Sequence, residues 1–211
     1  MALHRSGGPF SEELRARFAD DWRRAHEDHP FVLAMGDGTL PLERFQLFMR
    51  QDYLYLIDFC RVLALACAKS PDLESMGRWA KLLDETLNSE MALHRGFCAD
   101  FGISRRDLER TEPAPATAAY THYLLETARE GGIEEIAASL LPCQWGYDEI
   151  GRRLAAQGKA PPDSFHARWI AAYNAPEYRA VTDWLRALVD RLGAAAAPET
   201  RRRMAEAFKA G

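Results

Sequence analysis

The sequence predicts an all-α protein, and three observations carry the prediction. Apolar residues recur at three- and four-residue spacing along nearly the whole chain, no stretch shows period-two alternation, and short Pro, Gly and Asn clusters separate the periodic runs. A helix with one apolar stripe must bury it against another element, so the expectation is a bundle of about eight helices joined by short loops. Any ligand site would then lie between facing helices. At 211 residues the chain suits a single domain, residues 1–211, long enough to bury about 70% of its unfolded surface. Its 47% hydrophobic and 27% charged residues are ordinary for a globular protein.

The first run is Phe10, Leu14, Phe18 and Trp22, with Ser11 read as its N-cap and acidic residues following. It stops before His29-Pro30, because the residue ahead of a proline avoids the α region. Gly36-Asp37-Gly38 reads as a turn, and Pro41 opens a helix running to about residue 69. Phe45, Phe48, Met49, Leu56, Phe59, Cys60 and Leu63 stripe that helix and place it in a core. Pro71-Asp72 starts a long third helix that ends near Phe101-Gly102. After a proline-broken link over 111–115, a helix over about 117–130 ends at Gly131-Gly132. Another follows over about 133–156. Phe165, Trp169, Ile170 and Tyr173 stripe the next, which yields at Asn174-Ala175-Pro176. An amphipathic segment over 176–192 and a final helix from Pro198 complete the chain.

Composition excludes several function classes. A net charge of −4 with scattered arginines offers no basic field for nucleic acid, and Arg201-Arg202-Arg203 reads as a solvated helix face. No apolar run is long enough to span a bilayer, and Met1 to Gly8 is too short and polar for a signal peptide. Cys60, Cys67, Cys98 and Cys143 lie far apart with no CxxC pair, which suggests neither a zinc site nor a disulfide framework. A reducing cytoplasm fits, and no metal or organic cofactor is expected.

Two places invite chemistry. From Leu140 to Gly151 an apolar run turns amphipathic, and on a helix Leu140, Cys143, Tyr147, Ile150 and Leu154 share one face. Pro142 inside that helix cannot donate to the Ala138 carbonyl and is expected to kink the backbone just ahead of the cysteine. Taken alone, Cys143 is either a reactive thiol or the buried small hydrophobe that unpaired cysteines usually are. The second place is Asp52, set in an apolar stripe between Met49 and Leu56. A buried carboxylate must be paired, hydrogen-bonded or protonated. It either ties down a neighbouring helix or holds a ligand, with Tyr55 one turn on. Glu90 and His94, four apart, suggest a Glu–His hydrogen bond bracing the bundle, since a helical metal site would need more ligands than these two. Tyr120, Leu124 and Thr127 share a face, and Tyr120 alone would be ordinary core.

A resemblance joins these residues. Leu141-Pro142-Cys143-x-Trp145-x-Tyr147-x-Glu149-x-Gly151 resembles the signature of the TenA family, the thiaminase II or aminopyrimidine aminohydrolase proteins, in the branch with an active-site cysteine. Gln51-Asp52-Tyr53-Leu54-Tyr55 is similar to the family's Gln-Asp-x-x-Tyr segment. Tyr173, within Trp169-Ile170-x-x-Tyr173, and Tyr120 fall at family pocket positions. The resemblance covers nearly the whole chain. It implies a haem-oxygenase-like bundle, commonly a homotetramer, that hydrolyses thiamin or a thiamin-derived aminomethyl-aminopyrimidine to the hydroxymethyl compound in thiamin salvage. It implies Cys143 as the nucleophile, with Asp52, Tyr55, Tyr120, Tyr147 and Tyr173 binding substrate. The family's last helix extends past the segment matching Met204 to Gly211 and brings in a proton-donating glutamate. Glu206 falls ahead of that position and receives no role, so a weakly active or non-catalytic pyrimidine binder is the alternative expectation. A metal-dependent oxygenase on the same bundle is disfavoured by the sparse His and carboxylate pattern.

Overall fold

Prolines and polar caps set the boundaries of the helices in the computed structural model, which describes residues 8–211. Met1 to Arg5 and the two residues after them lie outside it, so the reading of the amino terminus has no structural counterpart. In chain order the α-helices are α1 (Phe10–Arg17), α2 (Ala19–Trp22), α3 (Pro30–Asp37), α4 (Leu42–Lys69), α5 (Leu73–Asp84) and α6 (Met91–Asp100). They continue with α7 (Arg105–Glu109), α8 (Pro115–Glu130), α9 (Ile133–Gln157), α10 (Phe165–Tyr173), α11 (Pro176–Ala195) and α12 (Pro198–Ala210). Two π-helical stretches, Arg23–Glu27 and Glu85–Glu90, follow α2 and α5. The described residues contain no strand, so the all-α expectation holds.

Twelve segments replace about eight for physical reasons. His29-Pro30 ends one helix as expected but also begins another: Pro30 needs no N–H at the first turn, and the His29 ring accepts from the Phe31 N–H. That helix absorbs Gly36 and Asp37, leaving the turn to Gly38, whose φ of 71° suits a residue without Cβ. The long helix read from Pro71 is interrupted by the Glu85–Glu90 π stretch. Ser11 is no cap. It is buried inside α1, and its N–H donates to Asp190 at 2.6 Å.

The described chain divides into two compact units: the described residues up to Leu40 with Ala137–Gly211, and Pro41–Ile136. In the Pro41–Ile136 unit, α4 is the axis, with α5, α6 and α8 packed on it. Phe45 is fully buried and takes the rings of Phe97 and Phe101 edge-on, at 5.7 and 5.6 Å between centroids. Amide and ammonium groups along α4 satisfy chain ends elsewhere in the unit. Gln46 donates to the Phe101 carbonyl, and Gln51 donates to the Glu112 carbonyl and accepts from Ala114 N–H. Lys69 donates to the Arg129 and Gly131 carbonyls at the end of α8. In the other unit α1 packs on α11 and α3 on α10. There Trp22 stacks nearly parallel on Phe208 of α12 and meets Trp145 of α9 edge-on. No helix among the described residues is long and apolar enough to cross a membrane.

Candidate functional site

In the Pro41–Ile136 unit, Asp52 and Tyr55 are three residues apart on α4 and therefore flank the same side. Tyr55 stacks on Tyr120 of α8, with centroids 5.8 Å apart and planes within 13°. The neighbouring Gln51 fixes this meeting, because its bond to Ala114 N–H holds the residue that caps α8. Asp52 has a partner: its Oδ2 lies 3.3 Å from Nε2 of His94 on α6. The contact is one of charge rather than an aligned hydrogen bond, as His94 Nε2 has no bond of good geometry. Nδ1 of the same ring meets the buried Cys98 thiol at 3.6 Å. Burial by itself lowers an imidazole pKa. The Asp52 carboxylate, with Cys98 second, outweighs it and raises His94 to about 9, so the ring is an imidazolium at neutral pH.

Glu90 closes the π-helical stretch one turn before His94. The residue is exposed as a whole, yet protein atoms crowd its carboxyl group. That desolvation, joined by the like charge of Asp52, pushes Glu90 up to about 6, partly offset by Thr86 and His94. The Glu90–His94 hydrogen bond expected from their spacing does not form. Nδ1 of His94 meets Cys98 instead, and Nε2 faces the Asp52 carboxylate as a charge contact.

In the other unit, α9 carries Cys143 and Tyr147 one turn apart and continues as α-helix through Pro142. Side chains on two flanks fix its rotation. On one, Gln144 donates to Thr182 Oγ1 at 3.1 Å and the Tyr178 carbonyl at 3.3 Å, and buried Asp148 pairs with Arg152 at 2.8 Å and Arg179 at 3.5 Å. On another, Glu149 accepts from Arg15 at 3.0 Å and from the Trp22 indole at 3.1 Å, while His26 packs over Gly146 where a Cβ would stand. Tyr147 meets Tyr173 of α10 at 4.6 Å between centroids, and Trp169 touches both rings. Gly151 lets α9 approach the α10 backbone at this point: an added Cβ would stand 2.5 Å from the Tyr173 carbonyl carbon. The last residue after α12, Gly211, lies against the backbone of Ser139, one turn before Cys143.

All six residues singled out from the sequence are half-buried, neither sealed in a core nor on the open surface. Within the units the structure brings Tyr55 to Tyr120, and Tyr147 to Tyr173. Sequence reasoning missed His94 as the partner of Asp52, and Cys98 behind it. The four-residue spacing of Glu90, His94 and Cys98 was the available signal, since it aligns all three on one helical stripe. It also missed both π stretches, a feature often found at functional sites.

The fold has known counterparts. A domain of unknown function with a heme oxygenase-like fold from Shewanella denitrificans superposes with a TM-score of 0.71 at 15% identity, covering 94% of this chain and 85% of that one. The chain is thus an all-helical protein of the haem-oxygenase-like class. A TenA homologue from P. horikoshii matches more closely, with a TM-score of 0.88 at 28% identity over 96% of this chain and 92% of its own. An aminopyrimidine aminohydrolase of Halalkalibacterium halodurans is 42% identical over 181 residues, which is 86% of this chain and 80% of that protein. The profile of the TENA/THI-4/PQQC family matches residues 15–211. The chain belongs to that family.

Proposed function

We propose that this protein is an aminopyrimidine aminohydrolase that cleaves thiamin or an aminomethyl-aminopyrimidine derived from it, releasing the hydroxymethyl compound for thiamin salvage. The observation that carries this reading is the Asp52–His94 pair: a half-buried carboxylate beside an imidazolium suits the polar edge of an aminopyrimidine. The aminohydrolase relative at 42% identity supports the same substrate class. Cys143 is the nucleophile. Its thiolate adds to a ring carbon while a ring nitrogen takes a proton, and the ring electrons then expel the amine or thiazole from the methylene. Water adds to that methylene, and the thiolate departs as the aromatic ring re-forms. Asp52 holds the amidine edge as its nitrogen gains positive character, and Tyr55, Tyr120, Tyr147 and Tyr173 supply aromatic walls and hydroxyl donors. The reading includes a cytoplasmic homotetramer that binds neither nucleic acid nor membrane, and four cysteines spaced far apart with no CxxC pair suit a reducing compartment. Light scattering tests the tetramer. Incubation with thiamin and with the aminomethyl-aminopyrimidine side by side tests the activity. Release of the hydroxymethyl product from either supports the reading, and binding without release from both overturns it.

A further inference from the structure

We propose, resting on the reading of Tyr55 and Tyr120 as walls of the pyrimidine site, that Gln51 is the positioning residue that sets those two rings against each other. Tyr55 belongs to α4 and Tyr120 to α8, so their stack is only as well defined as the register between the two helices. Apolar packing of α8 on α4 supplies attraction without direction, and it tolerates sliding along the shared axis. Directional bonds at fixed points remove that freedom. Two side chains of α4 supply them, one near each end of α8.

Gln51 makes the first tie. The link into α8 holds Pro113 and Pro115, which carry no N–H, so Ala114 offers the one amide donor over those three residues. Ala114 is also the N-cap of α8 and has no side-chain oxygen to cap with. Gln51 reaches across: its Oε1 accepts from the Ala114 N–H at 2.8 Å, and its Nε2 donates to the Glu112 carbonyl at 3.1 Å. One planar amide grips a backbone donor and a backbone acceptor, which holds the start of α8 in both position and direction. Lys69 makes the second tie, donating to the Arg129 and Gly131 carbonyls at 2.7 and 2.6 Å. The stretch from Gln51 to Lys69 on α4 is about 27 Å long and that from Ala114 to Gly131 about 26 Å, so the two helices run parallel and in step. The stacked rings lie beside the first tie. Tyr55 is one turn beyond Gln51 and Tyr120 less than two turns beyond Ala114, whereas Lys69 is about 21 Å past Tyr55. Asp52, in the same turn of α4 as Gln51, faces His94 of α6 at 3.3 Å. A single turn therefore orders the carboxylate and the aromatic wall together. A flat ring that packs on the tyrosines and bonds to Asp52 needs both at fixed spacing, and a displacement of about 1 Å costs about 10²-fold in rate.

The test uses the full chain, titrated with the hydroxymethyl product and turned over on the aminomethyl-aminopyrimidine. Gln51→Met keeps the length of the side chain and removes both bonds. It should raise the dissociation constant of the product and lower kcat/KM by about tenfold each, because only a fraction of molecules then hold the tyrosines in the competent arrangement. Gln51→Glu retains an acceptor for the Ala114 N–H and should lose only about threefold; if Gln51→Met does not fold by circular dichroism, Gln51→Glu takes its place. Lys69→Met removes bonds of the same kind from the far end of the same helix pair, and should bind and turn over as wild type does. A merely structural tie would make the two methionine variants alike in binding. Wild-type binding and turnover in Gln51→Met, or equal losses in folded Gln51→Met and Lys69→Met, overturns the proposal. Tyr120→Leu separates the two readings. If it binds product as tightly as wild type, the wall reading fails. If it binds weakly while Gln51→Met binds and turns over normally, the Gln51 assignment alone fails.

Discussion

The His94 imidazolium makes the stability of the fold depend on pH with a definite sign. Its folded pKa is about 9, against about 6.5 for an unfolded histidine. The folded state therefore holds this proton more tightly. The resulting stabilisation is fully present below pH 6.5, declines as pH rises, and is lost once pH passes about 9. Every tenfold gain in proton affinity is worth about 1.4 kcal/mol, so the contribution is on the order of 3 kcal/mol for this buried ring. His94→Gln removes the titrating group. Urea unfolding followed by tryptophan fluorescence at pH 6, 7.5 and 9 measures the difference, and the fully buried Trp79 on α5 reports on this unit. The wild type should lead the variant at pH 6 and lose most of that lead by pH 9. Unfolding free energies that run parallel across this range would refute the assignment of a charged His94 held by Asp52.

Three further outcomes follow from single contacts. Asp52→Asn keeps the shape but removes the charge, and should weaken hydroxymethyl-pyrimidine binding by about 1–3 kcal/mol in a calorimetric titration; an unchanged dissociation constant would confine Asp52 to the scaffold. Gly151→Ala sets a Cβ 2.5 Å from the Tyr173 carbonyl carbon and 2.8 Å from the Asn174 nitrogen. Backbone must move there, so a loss of about 1–3 kcal/mol in thermal unfolding is expected, and wild-type stability would contradict the close approach of α9 to α10. Asp72 caps α5 by accepting from the Ser75 N–H at 2.7 Å. Asp72→Ala should cost about 1 kcal/mol, read as a fall in the urea midpoint, and no fall would remove the cap from the account.

Local rules made much of the helical order legible. Pro41 and the apolar stripe behind it gave α4 to its end at Lys69, because an aromatic-rich stripe at helical spacing admits no other period. Gly131-Gly132 and Asn174-Ala175-Pro176 marked breaks that the structure keeps. Two kinds of feature escaped. The π stretches at Arg23–Glu27 and Glu85–Glu90 add a residue to a turn without disturbing composition, so the apolar pattern reads through them. Long-range partners escaped as well. Ser11 has the chemistry of an N-cap, but its N–H belongs to Asp190, far away in sequence. At the candidate site, that Asp52 needed a partner was readable from its burial pattern. That the partner would be His94 was not, since spacing offered Glu90 to the same ring and only the packing of α6 on α4 decides between them.

The central claim is that Cys143 attacks the pyrimidine ring, and Cys143→Ser tests it most directly. Serine preserves the size and position of the side chain on α9, but its hydroxyl is far less ionised than a thiol at neutral pH. The measurement is single-turnover release of hydroxymethyl-aminopyrimidine by wild type and variant, beside a titration of each with that product. The account predicts that the serine variant binds the pyrimidine about as tightly as wild type and releases almost no product. Release at close to the wild-type rate would contradict covalent attack by Cys143.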